Sequence, residues 1–209
     1  MGSAERRSRE RLDTRDRILD AARRMFVEHG YEATTMRAIA REIEYTPTAI
    51  YHHFANKLAL LTELCTLDFR ALASAFQRVG RIDDPLERLE RIGVAYVDFG
   101  LHHPMQYQLL FMTRRPEVAH DALPLKGDPG EDAYAFLRDT CAEAIFAGRL
   151  LPEHNDAEEL AQMCWGSLHG LVALHITMGQ EEFIAWRDVR STATRMSAAM
   201  IRGMMLPPG

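Results

Sequence analysis

The sequence predicts an all-α protein with a small N-terminal three-helix domain and a larger C-terminal helical bundle. Three observations support this class. Apolar residues recur at spacings of three and four along nearly the whole chain, which is the period of an amphipathic helix. Capping and stop residues bound most of the apolar runs. Convincing runs of alternating β-branched residues, which would indicate strands, are absent.

The first two predicted helices each carry one apolar face. The first begins near Asp13 or Thr14, either of which can cap it, and stops at Gly30. Its apolar face follows the i, i+4, i+7, i+8 pattern and consists of Ile18, Ala22, Met25 and Phe26. Thr34 or Thr35 caps the second helix. Its apolar residues are Met36, Ile39, Ala40 and Ile43.

A tight turn, "EYT", leads into a short third helix. Thr46 caps this helix, and Pro47 occupies its first position, where the missing N–H costs nothing. Ile50 and Phe54 lie four residues apart, so both face inward.

Six further helices complete the prediction. Asn56 caps the fourth, which runs from Lys57 towards Val79. The remaining five are expected at about 84–102, 104–112, 131–146, 156–179 and 181–204. The Pro- and Gly-containing stretch 114–130 is interpreted as a mobile loop.

Composition limits the class of protein. A hydrophobic content of 47% suffices for a core, and no apolar run reaches the length of a membrane span. The polar, Arg-rich N-terminus has no apolar segment of the kind that signal peptides carry. The three cysteines lie far apart without a CxxC pair, which fits reduced thiols. We therefore expect a cytoplasmic protein with no membrane association and no cofactor.

The predicted organisation is a flexible arm at residues 1–13, a first domain at 14–57 and a second at 58–209. The net charge of −5 is unevenly distributed between them. Residues 1–57 hold eleven Arg and Lys against nine Asp and Glu, whereas the rest of the chain carries −7. A local basic footprint matters more for nucleic-acid binding than whole-chain charge, although a solvated surface would look the same.

The second and third helices, joined by a tight turn, form the helix-turn-helix arrangement, which lays its second helix in the major groove of DNA. The outward side chains suit this role. Thr and Tyr hydroxyls donate to phosphate oxygens, and the methyl groups of Thr48 and Ala49 can contact a thymine methyl. Thr35 and Lys57, each at a helix start, can hold phosphates. Arg37 can reach a phosphate or a guanine.

The stretch "TRDRILDAARRMFVEHGYEATTMRAIAREIEYTPTAIYHHFANKLALL" resembles the DNA-binding domain of the TetR/AcrR family of transcriptional regulators. The matching features are the "IL.AA..MF...GY..TTM..IA" run, the "AIYHHF" recognition helix and the "NK..LL" start of the fourth helix. The resemblance implies an all-helical homodimer that binds an inverted-repeat operator in double-stranded DNA and usually represses transcription. Carried over by position, the expected DNA contacts are Thr35, Arg37, Thr46, Thr48, Ala49, Tyr51, His52, His53 and Lys57.

The sequence departs from the family in the turn and in the recognition helix. Glu44 stands where the family often has Gly. If this residue has a positive φ, Glu costs roughly 1 kcal/mol there. The recognition helix carries no Arg, Lys, Asn or Gln, so base readout depends on Arg37 or on softer contacts and DNA shape.

Each aromatic or imidazole side chain of the recognition helix has an alternative interpretation. His52 and His53 are DNA contacts, exposed polar residues without a specific role, or zinc ligands. Adjacent helical residues point about 100° apart and form a poor ligand pair. Tyr51 is either a core aromatic or a phosphate contact. Its position off the inward face favours the phosphate contact.

The last two helices carry two stripes that predict a dimer interface. The small residues of "CWGSLHGLVALHITMG" recur along one face: Gly166, Gly170, Ala173 and Thr177. In the final helix Met196, Met200 and Met204 recur at every fourth position, although ordinary core explains methionines equally well. The resemblance implies that these two helices form the dimer interface. The "W...HG" pattern, with "HPMQYQLLFM" upstream, also resembles the WHG subgroup of the family.

An apolar effector pocket is expected among the helices of the second domain. The candidate lining residues are Phe99, Tyr107, Phe111, Phe136, Trp165 and His169. Packed core is the alternative for each of them, and His169 is either a hydrogen-bonding anchor or a structural histidine. As a set they favour a hydrophobic or aromatic small molecule, with the 114–130 loop as a gate.

The predicted function is ligand-responsive DNA binding. Ligand binding would bias two arrangements of one dimer, with the fourth helix as the mechanical link between the two domains. The sequence contains none of the common hydrolase, P-loop, zinc-protease or dinucleotide motifs, so we do not expect an enzyme. The alternative is a small-molecule-binding, multidrug-sensing module whose DNA recognition is weakened or lost.

Overall fold

A computed structural model of the chain describes residues 3–114, 116 and 127–206, and its regular elements there are all helical. The all-α prediction is confirmed. None of the described helices is both long enough and apolar enough to span a bilayer. The helices are α1 (Ser3–Ala33), α2 (Met36–Glu42), α3 (Pro47–Tyr51), α4 (Lys57–Gln77), α5 (Pro85–His102), α6 (Pro104–Tyr107), a π-helical segment (Gln108–Met112), α7 (Ala133–Phe146), α8 (Ala157–Met178) and α9 (Val189–Met204).

The chain divides into two compact units. The first comprises Met1–Asp68 and Met105–Leu123, and the second Phe69–Pro104 and Pro124–Gly209. This division falls inside α4, whereas the sequence placed the boundary after residue 57. Most of the predicted 114–130 loop, namely residues 115 and 117–126, lies outside the described residues.

The first helix is longer than predicted. It begins at Ser3, so residues 3–13, which were expected to form a flexible arm, are helical. The segment is rich in Arg and Glu, which are good helix formers, and Arg6 contacts Glu10 at 3.6 Å across one turn. The predicted stop at Gly30 is confirmed, because its φ of +80° interrupts the helical backbone there.

Side-chain caps begin the next three helices as predicted. Thr35 Oγ1 accepts a hydrogen bond from the Ala38 amide at 3.1 Å, and Thr46 Oγ1 accepts one from the Ala49 amide at 3.3 Å. Asn56 Oδ1 accepts from the Ala59 amide at 2.8 Å. The predicted inward faces form the core of the first unit, with Ile18, Ala22, Phe26, Ile39, Ala40 and Ile50 fully buried.

A buried ion pair joins α1 to the first half of α4. The Arg23 guanidinium donates to Asp68 Oδ1 at 2.9 Å and to Oδ2 at 3.3 Å, and the Asp68 side chain is only 5% exposed. The same guanidinium contacts Asp20 at 3.1 Å, but that carboxylate is 66% exposed. Arg23 therefore has one buried and one solvated partner.

In the second unit α5 packs against α7, α8 and α9, α7 packs on α8, and α8 packs on α9. Asp84, Asp132 and Asp156 cap α5, α7 and α8 by accepting hydrogen bonds from first-turn amides. At Gly93 on α5 the helices approach so closely that an added Cβ would lie 2.6 Å from Ser197 Oγ and 2.8 Å from Leu168 Cδ1.

The start of the last helix and the type of the helix at 104–112 also differ from the prediction. The last helix begins at Val189 rather than near residue 181, because Asp188 accepts a hydrogen bond from the Ser191 amide at 2.7 Å and caps it there. The preceding segment folds back onto the end of α8, where Trp186 Nε1 donates to the Met178 carbonyl at 3.0 Å. The single helix expected at 104–112 is one α-helical turn followed by a π-helical segment.

Candidate nucleic-acid interface and effector region

The turn between α2 and α3 is closed by backbone hydrogen bonds. The Tyr45 amide donates to the Ala40 carbonyl at 2.9 Å, and the Glu44 amide donates to the Arg41 carbonyl at 3.2 Å. Among the described residues Glu44 is the one non-glycine with a positive φ, at +60°. The turn thus requires the left-handed conformation that glycine adopts without strain.

The short helix α3, together with the turn that follows it, has one buried and one exposed side. Ile50 and Phe54 are buried, as predicted, whereas Thr48 and His52 are exposed and Tyr51 is 52% exposed. The aromatic ring of Tyr51 therefore does not belong to the core of the first unit. The polar face that the helix-turn-helix arrangement requires is present.

Thr35 and Thr46 each have a hydroxyl hydrogen that no described residue accepts. Each hydroxyl oxygen accepts the amide hydrogen bond that caps its helix, and both side chains are exposed. A hydroxyl that accepts one bond still has its own O–H to donate. Ala49 is half-buried at the first turn of α3. Arg37 is exposed on α2, and the described residues offer it neither a hydrogen bond nor an ion pair.

His53 lies beside two arginines of α1. Burial, followed by the charges of Arg11, Arg15 and His52, lowers the pKa of the His53 imidazole. The Arg15 guanidinium lies 5.1 Å from the centre of the Phe54 ring and forms an ion pair with Glu63 at 2.8 Å. Sequence reasoning singled out neither arginine. It began the first helix near residue 13, so Arg11 fell in the expected flexible arm, and it considered only the apolar face of the residues that follow, which leaves out Arg15. Their one-turn spacing was the available signal.

Lys57 is engaged within the chain. Its ammonium donates to the carbonyl oxygens of Tyr31 at 2.7 Å, Thr34 at 2.9 Å and Glu32 at 3.4 Å, and it lies 4.1 Å from the centre of the Tyr31 ring. Three N–H donors therefore meet three carbonyls at and just beyond the end of α1. A phosphate contact through this ammonium would have to share or replace one of these bonds.

In the second unit the structure brings Trp165 and His169 together around Tyr96. Trp165 Nε1 donates to the Tyr96 hydroxyl at 2.9 Å, and the same hydroxyl lies 3.3 Å from His169 Nδ1. Burial lowers the pKa of His169. Sequence reasoning missed Tyr96, although it lies three residues before Phe99 on the apolar face of α5. A buried tyrosine hydroxyl requires a polar partner, which was the usable signal.

The other predicted pocket residues lie in different surroundings. Phe99 is buried on α5, and the Phe136 ring lies 6.3 Å from that of Phe76. Tyr107 and Phe111 belong to the first unit, where their ring centres are 5.0 Å apart. An open groove of about 460 Å³ occurs elsewhere, and none of the six predicted residues lines it. Its lining is Pro85, Ala142, Glu143, Phe146 and Ala147.

The small-residue stripe of α8 is accessible. Gly166 and Thr177 are exposed, Gly170 and Ala173 are half-buried, and an added Cβ at either glycine would meet no atom within 4 Å. The methionines of α9 lie deeper: Met196 and Met200 are half-buried, and Met204 is buried. Ser167 Oγ donates to Met200 Sδ at 3.6 Å, so this methionine contacts α8 of its own chain.

Two family descriptions match the chain, one in each part. Residues 18–64 match "Bacterial regulatory proteins, tetR family", which covers α2, α3 and the turn between them. Residues 89–200, more than half of the chain, match "Tetracyclin repressor-like, C-terminal domain". The chain belongs to the TetR family.

Curated HTH-type transcriptional regulators match part of the chain. The chain is 38% identical over 87 residues to the HTH-type transcriptional regulator UidR of Escherichia coli, which is 41% of this chain and 38% of UidR. It is 35% identical over 71 residues to the HTH-type transcriptional repressor AcnR of Corynebacterium glutamicum, which is 34% of this chain and 38% of AcnR. The match thus spans less than two-fifths of the length of these relatives.

Solved structures of regulatory proteins match nearly the whole chain. The ketosteroid transcriptional regulator KstR2 of Mycobacterium tuberculosis is 21% identical with a TM-score of 0.70, covering 93% of this chain and 96% of that one. A putative fatty acid metabolism regulator of Clostridium perfringens is 14% identical with a TM-score of 0.74, covering 91% and 100%. At these identities the likeness shows the fold alone.

Proposed function

We propose that the chain is a ligand-responsive transcriptional regulator that binds an inverted-repeat operator as a homodimer and represses transcription. A hydrophobic or aromatic small molecule releases it from DNA. The observation that carries this proposal is the exposed polar face of α3 behind a tight turn, in a chain of the TetR family. The named relatives UidR and AcnR are described as a regulator and a repressor.

The proposed DNA contacts divide by chemistry. The free hydroxyl donors of Thr35, Thr46 and Tyr51 suit phosphate oxygens, whereas Thr48 and Ala49 offer methyl groups to base edges. His52 and His53 offer imidazole donors at the end of α3. A neutral imidazole both donates and accepts, so the lowered pKa of His53 favours hydrogen bonding to a base or phosphate over charge attraction.

Arg37 is the proposed residue for strong readout. It is exposed on α2 and has no described partner, so its guanidinium is available for a bidentate bond to guanine or for a phosphate. Lys57 remains a predicted contact, but its ammonium holds three carbonyls of the chain. A Lys57 substitution would therefore change both stability and charge, which makes Arg37 the cleaner position to test.

The first experiment selects bound duplexes from a randomised DNA pool at several salt concentrations. An enriched inverted repeat with steep salt dependence supports the proposal. Arg37→Gln should then lower affinity and reduce the salt slope by about one unit per subunit. Arg78→Gln is the matched control, because Arg78 is equally exposed but belongs to the second unit. Binding without sequence preference after removal of co-purified small molecules would contradict the proposal.

The proposed dimer interface follows the small-residue stripe of α8. Exposed Met163 and Leu174 extend this stripe with apolar surface. Gly170→Leu should leave each subunit folded, because no atom lies within 4 Å of an added Cβ there, but it should weaken dimerisation. Sedimentation velocity measures the dimer fraction, with Ala71→Leu on the exposed side of α4 as control. An unchanged dimer in the Gly170 variant would place the interface elsewhere.

The proposed effector site centres on Trp165, His169 and the Tyr96 hydroxyl between them. We infer that these residues also mark the WHG subgroup. The chain has two tryptophans, so Trp186→Phe isolates the fluorescence of Trp165 and Trp165→Phe isolates that of Trp186. A panel of apolar aromatic and aliphatic compounds should change the Trp165 signal and release DNA at the same concentrations. A fluorescence change confined to Trp186 would mean that the compounds bind near Trp186 and not at Tyr96.

A second candidate function is small-molecule binding with weakened DNA recognition. Two observations favour it: α3 carries no Arg, Lys, Asn or Gln, and the Lys57 ammonium is engaged within the chain. The duplex selection separates the candidates, since this second function predicts compound binding without an enriched operator.

A further inference from the structure

The N-terminal extension of α1 brings an additional arginine towards the end of α3. Arg15 marks the place where α1 passes the recognition helix, because its guanidinium lies over the Phe54 ring. Arg11 precedes Arg15 by four residues, which is one helical turn or about 6 Å along the axis. Side chains on a helix tilt towards its N-terminus, so Arg11 reaches further beyond Phe54 than Arg15 does.

Arg11 lies on the same face of α1 as Ile18. It precedes Ile18, which is fully buried, by seven residues, and two helical turns return nearly to the same direction. Arg9 lies about 200° around the helix from Arg11 and points away from that face. The Arg11 charge contributes to the lowered pKa of the His53 imidazole, which agrees with this placement.

The charge of Arg11 is not neutralised by a described residue. Arg6 contacts Glu10, and Arg15 pairs with Glu63. Arg11 is exposed and makes neither a hydrogen bond nor an ion pair with any residue that the structure describes. A guanidinium near the recognition helix that no described residue neutralises is available to bind an anion from outside the chain.

The length of α3 indicates which anion. Five residues at 1.5 Å each extend about 7.5 Å, while the major groove is about 12 Å wide. Groups just beyond the end of α3 therefore face the phosphates that border the groove. We propose that Arg11 contacts a phosphate oxygen of duplex DNA beside His53, so that helical α1 residues contribute to the interface. This inference rests on the proposed DNA-binding function.

Arg9 and Arg11 supply a matched pair for the test. Both are exposed arginines of the same extension, two residues apart, and Arg11→Gln and Arg9→Gln remove the same charge. Binding of the selected operator is measured by fluorescence anisotropy at several salt concentrations. Arg11→Gln should lower affinity roughly tenfold at low salt and reduce the salt slope by about one unit per subunit, whereas Arg9→Gln should change neither beyond roughly twofold.

The placement of Arg11 is tested separately without DNA. In an NMR titration of the His53 ring, Arg11→Gln should raise the pKa of the imidazole, because a nearby positive charge disfavours protonation, and Arg9→Gln should not. Equal salt slopes for the two variants would overturn the phosphate contact, even if the His53 titration places Arg11 correctly. Failure of the wild-type chain to bind any duplex would instead overturn the proposed function, and this inference with it.

Discussion

Replacing Glu44 by glycine is expected to stabilise the protein relative to replacing it by alanine. Glu44 has a φ of +60°, a conformation that L-residues adopt only with strain. Glycine removes this strain, whereas alanine retains it. Both variants remove the same carboxylate, so their difference in unfolding free energy isolates the backbone contribution.

The magnitude follows from two opposing terms. The left-handed conformation costs a non-glycine residue about 1–2 kcal/mol. Glycine loses part of this advantage, about 0.5–1 kcal/mol, because it has more freedom in the unfolded chain. Glu44→Gly should therefore exceed Glu44→Ala by about 0.5–1 kcal/mol in unfolding free energy.

The assay is urea unfolding followed by circular dichroism, with Glu42 as the control position. Glu42 ends α2 in helical conformation and contacts Arg24 at 3.6 Å. Both Glu42 variants lose that contact equally, so glycine there should be less stable than alanine by about 0.5–1 kcal/mol. The sign should thus reverse between positions 42 and 44. A Glu44→Gly variant less stable than Glu44→Ala would refute the positive φ in the turn.

Three further outcomes are expected from the packing and charges. Asp68→Ala should lower the unfolding free energy by about 3–5 kcal/mol, because it leaves the buried side of Arg23 unpaired. Asp20→Ala, which removes the exposed partner, should lower it by less than about 0.5 kcal/mol. Equal losses would contradict the difference in burial between the two carboxylates. Gly93→Ala should lower the unfolding free energy by about 1–3 kcal/mol, because the added Cβ overlaps side chains of neighbouring helices. Gly203→Ala, whose Cβ would meet no atom within 4 Å, should raise it by up to about 1 kcal/mol. Thermal unfolding of both variants tests this difference in sign. Burial lowers the pKa of His169 in the folded chain, so the unfolded chain binds this proton first as the pH falls. The unfolding free energy should therefore decrease below about pH 6.5. His169→Gln should lack this part of the pH dependence, and a pH profile identical to that of the wild type would contradict the lowered pKa.

Local signals accounted for most of the fold. Thr35, Thr46 and Asn56 cap the helices that the sequence assigned to them, because a cap requires only a side-chain oxygen and an amide two or three residues later. The inward side of α3 was equally predictable, since Ile50 and Phe54 lie four residues apart and both are buried, although Phe54 follows the end of the helix. Spacing along the chain fixes both kinds of feature.

Features that depend on tertiary contacts were not predictable in the same way. Asp188, which caps α9, was a local signal for its start. The fold of the preceding segment was not, because Trp186 donates to the Met178 carbonyl, a contact that no local pattern encodes. The predicted effector residues were chosen by chemical type, but Tyr107 and Phe111 belong to the first unit. Residue type indicates that a ring is buried, but not which helices surround it.

The Lys57 contacts change the interpretation of α4. The sequence suggested a rod that begins at DNA phosphates, whereas the structure ties the beginning of α4 to α1. Lys57 holds three carbonyls at the end of α1, Glu63 pairs with Arg15, and Asp68 pairs with Arg23.

These three sets of contacts are distributed over the first twelve residues of α4, which form about three helical turns. Sliding or rotating this part of α4 against α1 would break a buried ion pair and expose carbonyls that the Lys57 ammonium now satisfies, at a cost of several kcal/mol. Displacement of this part of α4 should therefore carry α1, and the α2–α3 pair packed on it, as one body. On this reasoning the proposed effector moves α1, α2, α3 and the first half of α4 together and leaves the geometry among these helices unchanged.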